Sequence, residues 1–133
     1  MKAVFDTNIF ISAFAIPGGK AEEAYLLCLQ AKFILCPSIP ILTETAQKLR
    51  EKFGWDEDGI TRLLKTIASV AVITKPPPHV HLLPDEPDNR VLECAEEAKA
   101  DFIVTGDKHL LSLKHFKSTD IINLSDFIEK FSK

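Results

Sequence analysis

Two aspartates follow short apolar runs that are typical of buried strands. Asp6 comes directly after residues 2–5, and Asp107 follows residues 102–104 with two residues between. Open parallel sheets bind their ligands at the carboxyl ends of the strands. If both runs are parallel strands of one sheet, both carboxylates lie at that edge, and Gly106 would let the chain turn sharply there.

Two further acids lie on predicted helices. Asp88 is three residues before Val91 and four before Leu92, so it shares the inward face of its helix with these apolar residues. Glu44 lies near the start of another helix, but its angle differs from that of the apolar stripe. Periodicity alone therefore places Glu44 on the flank of its helix.

Carboxylates that converge on one site have a characteristic chemistry. Their mutual repulsion raises some of their pKa values and costs stability, and a bound divalent cation removes that cost. Mg²⁺ and Mn²⁺ prefer oxygen ligands. Such an ion can activate a water molecule and polarise a phosphoryl oxygen, so the predicted chemistry is hydrolysis of a phosphodiester without a Cys or His nucleophile.

Each acid taken singly also has an ordinary structural interpretation. Asp6 could end a strand, Asp107 could cap a helix, and Glu44 could be a solvated helix residue. Asp88 could be the third residue of a capping box that begins at Asp85. These alternatives stay open residue by residue, and the combination of acids at strand ends and at the head of a buried stripe favours a shared site.

Composition predicts one globular domain spanning residues 1–133. Hydrophobic residues make up 46% of the chain. No apolar run approaches the length of a membrane span or of a signal peptide, so we expect a cytoplasmic protein with no membrane partner. The net charge of −3 counts against a nucleic-acid binder that works by charge alone, so cations or local basic patches would have to offset the acids.

The cysteines and histidines point away from a zinc site. Cys28, Cys36 and Cys94 form no C-x-x-C pair, and we expect free, buried thiols in a reducing compartment. The histidines do not complete a zinc-ligand spacing. They are His79, His81, His109 and His115.

Predicted strands and helices alternate along the chain. Strands are predicted at 2–5, 33–36, 71–73, 101–105 and 120–122. Helices are predicted at 20–30, from 37–40 to a stop at Gly54, from Asp56 onward, and at 85–98, 107–113 and 125–131. The proline run at 75–79 is interpreted as a loop. This alternation indicates a mostly parallel sheet with helices on both faces.

Three segments resemble the PIN-domain proteins, and in particular the VapC-like toxins of toxin–antitoxin systems. They are residues 4–8 (VFDTN), 85–95 (DEPDNRVLECA) and 101–111 (DFIVTGDKHLL). Residues 38–44 (SIPILTE) are similar to the second-helix segment of that family, which carries its glutamate. The resemblance covers nearly the whole chain.

The resemblance implies a three-layer α/β/α sandwich with a central, mostly parallel five-stranded sheet. It implies an endoribonuclease that depends on Mg²⁺ or Mn²⁺ and cleaves single-stranded RNA. It further implies a homodimer and a cognate antitoxin protein whose tail enters the groove. The catalytic, metal-binding acids would be Asp6, Glu44, Asp88 and Asp107, and the supporting polar residues would be Asn8 and Thr105.

The sequence departs from the family at one position. Many relatives carry a further acid two residues after the fourth, and here that residue is His109. It could alter a metal site, touch RNA or have no role, and we favour a solvated histidine without a role. Asp85 could support Asp88 or cap its helix, and we favour the cap.

Contacts to RNA are less sharply predicted. Candidates for holding phosphates are Lys48, Arg50, Arg90 and Lys108. Trp55 and Phe53 could stack on a base, although Phe53 fits the apolar stripe of its helix and is expected in the core.

Two competing functions are considered. A phosphatase or receiver protein with an aspartate nucleophile would use the same fold class, but such a phosphatase usually has a D-x-D pair, and here the second position is Asn8. A non-catalytic RNA- or protein-binding PIN module would be expected to lose site acids, and all four are present. PIN domains also serve in RNA maturation and decay, so the toxin role is less secure than the nuclease role.

Overall fold

A five-stranded sheet forms the centre of the computed structural model, which describes residues 1–132. The strands are β1 (Lys2–Phe5), β2 (Ile34–Leu35), β3 (Phe102–Val104), β4 (His115–Phe116) and β5 (Thr119–Ile122). The helices are α1 (Thr7–Ala15), α2 (Lys20–Leu29), α3 (Ile39–Phe53), α4 (Glu57–Ala68), α5 (Glu86–Ala98), α6 (Lys108–Leu113) and α7 (Leu124–Glu129). None of these helices is long and apolar enough to cross a membrane.

The strand order is β2-β1-β3-β5-β4, and every pair is parallel except β4 with β5. Phe5 of β1 is in register with Val104 of β3, which is in register with Ile122 of β5. The three central strands therefore end at the same edge of the sheet, and the residues that follow them emerge side by side. The mostly parallel α/β fold expected from the sequence is confirmed.

Helices cover both faces of this sheet. On one face, the Phe127 ring of α7 lies edge-on to Phe5 at a centroid distance of 6.2 Å and to Phe102 at 6.1 Å. Side chains alternate along a strand, so Val4 and Ile103 point to the other face, where α5 packs against β1 and β3. All five side chains are buried or partly buried, as strands covered on both faces require.

Helix α3 has clear start and stop signals. The Ser38 hydroxyl accepts a hydrogen bond from the backbone N–H of Ile41, and Pro40 occupies the first turn. Gly54 ends the helix in the left-handed region with φ +67°, and its N–H donates to the carbonyl of Leu49. The stop predicted at Gly54 is confirmed, and it follows from glycine's freedom to adopt positive φ.

Helix α1 has no counterpart among the predicted elements. The segment 7–15 is apolar on nearly all sides, and Ile9, Phe10, Ile11 and Ala13 are all buried. A helix that is buried on most of its surface shows only a weak amphipathic period, so the pattern that reveals the other helices is faint here.

The fifth strand differs from the one predicted. The segment 71–73 was expected to be a strand, and this prediction is wrong: Val72 N–H donates to the carbonyl of Leu35, but only Ser38 and Thr74 form a bridge. Strand β2 is only two residues long, so residues 71–73 have too few backbone groups beside them to pair as a further strand. The fifth strand is instead β4, which forms a tight antiparallel hairpin with β5.

A buried glutamate fastens the proline-rich segment 75–84 to α5. Glu93 is 1% exposed, and its Oε2 accepts hydrogen bonds from the backbone N–H groups of His79 at 2.5 Å and Val80 at 2.7 Å. Its Oε1 lies 2.7 Å from Nε of Arg90. These contacts hold the chain that leads into the N-terminal end of α5.

The three cysteines are free and buried, as expected. The thiol of Cys94 donates to the backbone carbonyl of Cys36 at 3.0 Å. Burial raises the pKa of Cys94 to about 12, which disfavours the reactive thiolate, so we interpret Cys94 as a core residue.

Candidate active site

A cleft of about 230 Å³ opens at the carboxyl edge of the sheet. All four acids predicted from the sequence line it, although they come from four separate parts of the chain. The lining residues are Asp6, Thr7, Asn8, Glu44, Lys48, Asp85, Pro87, Asp88, Val91 and Asp107. The structure thus brings Asp6 and Asp107 together, as their strand-end positions predicted, and adds Asp88 and Glu44 from two helices.

Asp6 is held rigidly at the base of the cleft. Its side chain is 6% exposed, its Oδ1 accepts from the Ile9 N–H at 2.9 Å, and its Oδ2 accepts from the Thr105 hydroxyl. Burial raises the pKa of Asp6, the two hydrogen bonds oppose that rise, and the nearby charge of Asp107 adds to it. The same carboxylate thus caps α1 and belongs to the cleft.

Thr105 connects the first and fourth acids. Its side chain is fully buried, and besides donating to Asp6 its Oγ1 accepts from the Asp107 N–H at 3.0 Å. Asp107 caps α6, because its Oδ1 accepts from the N–H groups of His109 at 2.9 Å and Leu110 at 3.0 Å. Both capping bonds use Oδ1, which leaves Oδ2 available to the cleft.

Asp88 is the least compensated of the acids. Its Oδ2 is buried and has no hydrogen-bond partner among the residues that the structure describes. Burial, followed by the charges of Asp107, Asp85 and Asp6, raises its pKa from 3.8 to about 6, and His109 opposes the rise slightly. A carboxylate in this position repels its neighbours and has no donor to satisfy it.

Glu44 and Lys48 reach the cleft from α3. They are one turn apart, and both are half-buried. The residues of α3 that enter the core are Ile41, Leu42, Thr45, Ala46 and Leu49. Glu44 lies beside this stripe, as periodicity predicted, and packing of α3 against α1 and α5 turns that flank toward the cleft.

Asp85 and His109 differ from their predicted roles. Asp85 occupies the cap position of α5, but its side chain makes no capping hydrogen bond, so its interpretation as a cap is wrong. Instead, donor atoms of Asp85, Asp88 and His109 lie within 4.8 Å of one another. The sequence left open a metal-site role for His109 and a supporting role for Asp85 beside Asp88, but it did not bring the three residues together, because His109 is far from the other two along the chain.

A second hollow, of about 550 Å³, continues the cleft. Asn8 and Asp107 line both depressions, so the two form one continuous surface. The remaining residues of the second hollow are Ile9, Ser12, Gly106, Lys108 and His109. Asn8 thus stands at the junction, which is compatible with the supporting role expected for it.

The candidate phosphate-binding residues separate into two groups. Lys48 lines the cleft and Lys108 lines the second hollow. Arg50 instead pairs with Glu57 at 2.5 Å, beside the groove between α3 and α4. Arg90 is committed to Glu93. The two arginines are therefore engaged in ion pairs away from the cleft, and the two lysines face the site.

The aromatic expectations were also partly wrong. Phe53 was expected in the core, but it is 48% exposed at the last turn of α3. Trp55 is partly buried against the core. Neither residue is among those that line the cleft or the second hollow.

The fold and the acidic cleft together define a class of protein. A parallel sheet with acids from four segments at its carboxyl edge matches the architecture of the PIN domain, and the PIN-domain family model matches residues 2–109. The chain belongs to the PIN-domain family.

Named relatives extend this likeness. The chain is 36% identical over 146 residues to the uncharacterized protein MJ1680 of Methanocaldococcus jannaschii, with all of this chain and 93% of that protein covered. Among solved structures it is similar to VapBC2 of Rickettsia felis, which was crystallised with a DNA fragment from its promoter (TM-score 0.64, 14% identity, 92% of this chain and 98% of that chain).

Two more solved structures share the fold. The toxin VapC20 of Mycobacterium tuberculosis, described as cleaving the sarcin–ricin loop, has a TM-score of 0.60 and 13% identity, with 89% and 98% of the two chains covered. The PIN-domain endonuclease Utp24 has a TM-score of 0.52 and 23% identity, with 92% and 84% covered. At these identities the likeness establishes the fold.

Proposed function

We propose that the protein is a divalent-metal-dependent endoribonuclease that hydrolyses phosphodiester bonds of single-stranded RNA. The observation that carries this proposal is the convergence of Asp6, Glu44, Asp88 and Asp107 on one cleft. Four acids facing one another are costly unless a cation joins them. A purely structural origin would not require acids from four separate segments at one point.

The donor set fits Mg²⁺ or Mn²⁺. A buried carboxylate oxygen without a partner, such as Oδ2 of Asp88, costs free energy that a bound cation recovers. Asp107 has an oxygen left over after capping α6, and Glu44 is half-buried at the same cleft. Asp6, Glu44, Asp88 and Asp107 would hold the ion through oxygen atoms, which is the ligand type that both metals prefer.

The chain's own residues prepare the site for hydrolysis. When bound, a divalent ion supplies a water of lowered pKa and polarises the phosphoryl oxygen. Thr105 and the Ile9 N–H fix both oxygens of Asp6, and two N–H groups of α6 fix Asp107. The carboxylates are therefore oriented before substrate arrives, which lowers the reorganisation needed in the reaction.

Two lysines supply positive charge beside the acidic cleft, where RNA phosphates would bind. Lys48 and Lys108 lie on either side of the Asn8–Asp107 junction, so a flexible single strand could place one phosphate over the acids and neighbouring phosphates near the lysines. This local arrangement supports RNA binding in spite of the net charge of −3.

Phosphotransfer through an aspartate nucleophile is less well supported. The strand-end aspartate that would be the nucleophile, Asp6, is 6% exposed, and both of its oxygens already accept hydrogen bonds. A stable aspartyl-phosphate on Asp6 after incubation with an acyl phosphate would favour that alternative.

We propose further that the protein is the toxin of a toxin–antitoxin pair and acts in the cytoplasm as a homodimer. The likeness to VapBC2 and VapC20 supports this role. The likeness to Utp24, which is described as a PIN-domain endonuclease and not as a toxin, supports only the nuclease. Induced expression should arrest growth with wild type and not with Asp6→Asn, and light scattering should give twice the chain mass. Growth unaffected by an RNA-cleaving wild type would remove the toxin role and leave the nuclease.

RNA cleavage with purified protein tests the nuclease itself. We expect cleavage of single-stranded RNA in Mg²⁺ or Mn²⁺, no cleavage in EDTA, and a loss of at least ~100-fold in Asp6→Asn and Asp107→Asn. Asp58→Asn, an exposed acid on α4, is the matched control and should cleave like wild type. Unchanged cleavage in both site variants would refute the mechanism.

A further inference from the structure

Asp85 and His109 are side chains at the mouth of the cleft that the proposed catalysis does not yet use. Asp85 is 66% exposed and His109 is 56% exposed, and they come from the start of α5 and the first turn of α6. Asp85 makes no capping bond to its own helix. Both side chains are turned instead toward Asp88, whose Oδ2 has no partner among residues 1–132.

The spacing of these donor atoms is too long for a hydrogen bond and short enough for a shared ion. Nδ1 of His109 lies 4.0 Å from Oδ2 of Asp85, whereas a hydrogen bond needs about 3 Å. Two atoms that bind one cation at about 2.1 Å each can lie up to about 4.2 Å apart. Asp88 completes a group of three donors whose atoms lie within 4.8 Å of one another, so the exposed side chains of Asp85 and His109 would move slightly inward to share one ion.

We infer that His109 and Asp85 bind a divalent cation together with Asp88, and that the imidazole nitrogen makes the protein prefer Mn²⁺ to Mg²⁺. This inference rests on the proposed metal-dependent function and refines it. It assigns His109 a direct contact with the ion and gives Asp85 a role other than helix capping.

The metal preference follows from the donor type. Mg²⁺ is a hard cation that takes oxygen ligands and holds strictly to octahedral geometry. Mn²⁺ also prefers oxygen ligands, but as a first-row transition-metal ion it tolerates one imidazole nitrogen among carboxylates better than Mg²⁺ does. Replacing an oxygen donor by His109 therefore costs Mg²⁺ more than Mn²⁺.

Electron spin-echo spectroscopy of bound Mn²⁺ provides a readout that is independent of RNA cleavage. The full chain would be loaded with one equivalent of Mn²⁺ at about pH 8, above the usual titration range of imidazole. We expect ¹⁴N modulation in wild type and its absence in His109→Gln. His115→Gln is the matched control. His115 lies opposite Asp120 in the β4–β5 hairpin, so this variant should leave the modulation unchanged.

Calorimetric titration with Mn²⁺ and with Mg²⁺ tests the preference. In His109→Gln the Mn²⁺ dissociation constant should rise at least ~10-fold, and the Mg²⁺ constant should change by less than about 2-fold because the lost donor is nitrogen. Asp85→Asn should weaken both metals and keep the ¹⁴N modulation. Both substituted side chains are exposed, and Asp85→Asn also removes a charge that repels Asp88, so neither variant should unfold at a lower temperature than wild type in EDTA.

The failures of this inference and of the proposed function are distinguishable. Mn²⁺ binding that Asp107→Asn abolishes, but that shows no nitrogen coupling in wild type, would overturn the role of His109 and leave the metal-dependent nuclease standing. Nitrogen coupling that persists in His109→Gln would likewise overturn the role of His109 and leave the metal-dependent nuclease standing. No Mn²⁺ binding by wild type would overturn both.

Discussion

Replacing Asp88 with asparagine should stabilise the metal-free protein at neutral pH. In the folded state the pKa of Asp88 is raised to about 6 by burial and by Asp107, Asp85 and Asp6, so ionisation at pH 7.5 works against folding. The folded protein binds this proton more tightly than the unfolded chain does. The stability that the protonated carboxyl contributes is complete below about pH 4 and is lost as the pH rises through 6.

The magnitude follows from the change in pKa. A difference of one in pKa corresponds to about 1.4 kcal/mol, so the rise from 3.8 to about 6 is worth about 3 kcal/mol if taken in full. Water reaches part of the Asp88 side chain and screens its neighbours, which reduces the expected effect to about 1–2 kcal/mol. Asparagine keeps the shape of the side chain and removes the charge.

Urea unfolding in EDTA measures this difference. At pH 7.5 we expect Asp88→Asn to be more stable than wild type by about 1–2 kcal/mol, and near pH 4 we expect the two to coincide. Asp58→Asn, an exposed acid in the first turn of α4, should not be more stable than wild type at either pH value, because the helix dipole favours its charge. Saturating Mn²⁺ should reverse the order, since an ion at 100 times its dissociation constant adds about 2.7 kcal/mol to the protein that binds it.

A metal-free Asp88→Asn protein that is equal to or less stable than wild type at pH 7.5 would refute this reasoning. It would mean that the carboxylate at this position is compensated and that the cleft carries no electrostatic cost for a cation to relieve. The experiment therefore tests the physical basis of the metal site without requiring any RNA substrate.

Three further changes test the parts of the fold that hold the cleft. Glu93→Ala should lower the free energy of unfolding, measured with urea, by about 3–5 kcal/mol, because it removes the buried partner of the proline-rich segment. The same substitution at an exposed glutamate of α5 should cost far less. Thr105→Val should cost about 1–3 kcal/mol and slow RNA cleavage, because Oδ2 of Asp6 loses its donor; cleavage at the wild-type rate would show that the hydroxyl does not orient Asp6. Gly54→Ala should cost about 1 kcal/mol through its positive φ alone, since a Cβ there meets no atom within 4 Å; Gly106→Ala, which has equal space and no positive φ, is the control for the thermal melt.

The sheet was predictable because its strands are short, apolar and covered on both faces. The same pattern placed Asp6 and Asp107 at one edge without any knowledge of contacts, since the carboxyl ends of parallel strands meet there. Helix α1 was not predictable, because its mostly apolar and mostly buried segment has only a weak amphipathic period. Strand β5 was predicted at 120–122, but its partner β4 was missed because a two-residue strand is too short for any alternation to appear.

Side-chain roles were less predictable than backbone positions. Periodicity placed Glu44 correctly on a helix flank, but only the packing of α3 decides whether that flank faces water or the cleft. Asp85 has the residue type and position of a cap, yet its side chain faces Asp88 and His109. Such choices depend on contacts between residues far apart in the chain, which a pattern along the chain does not encode.

The ordinary and the catalytic interpretations of the acids are complementary. Asp6 and Asp107 each cap a helix whose N-terminal N–H groups point toward the edge of the sheet, and the positive end of a helix dipole stabilises a carboxylate there. Capping thus offsets part of the cost of bringing these two acids together. Asp88 lies in the first turn of α5 but receives no hydrogen bond at its buried Oδ2. The uncompensated part of the electrostatic cost is therefore concentrated on Asp88, and that is where a cation would contribute most to stability.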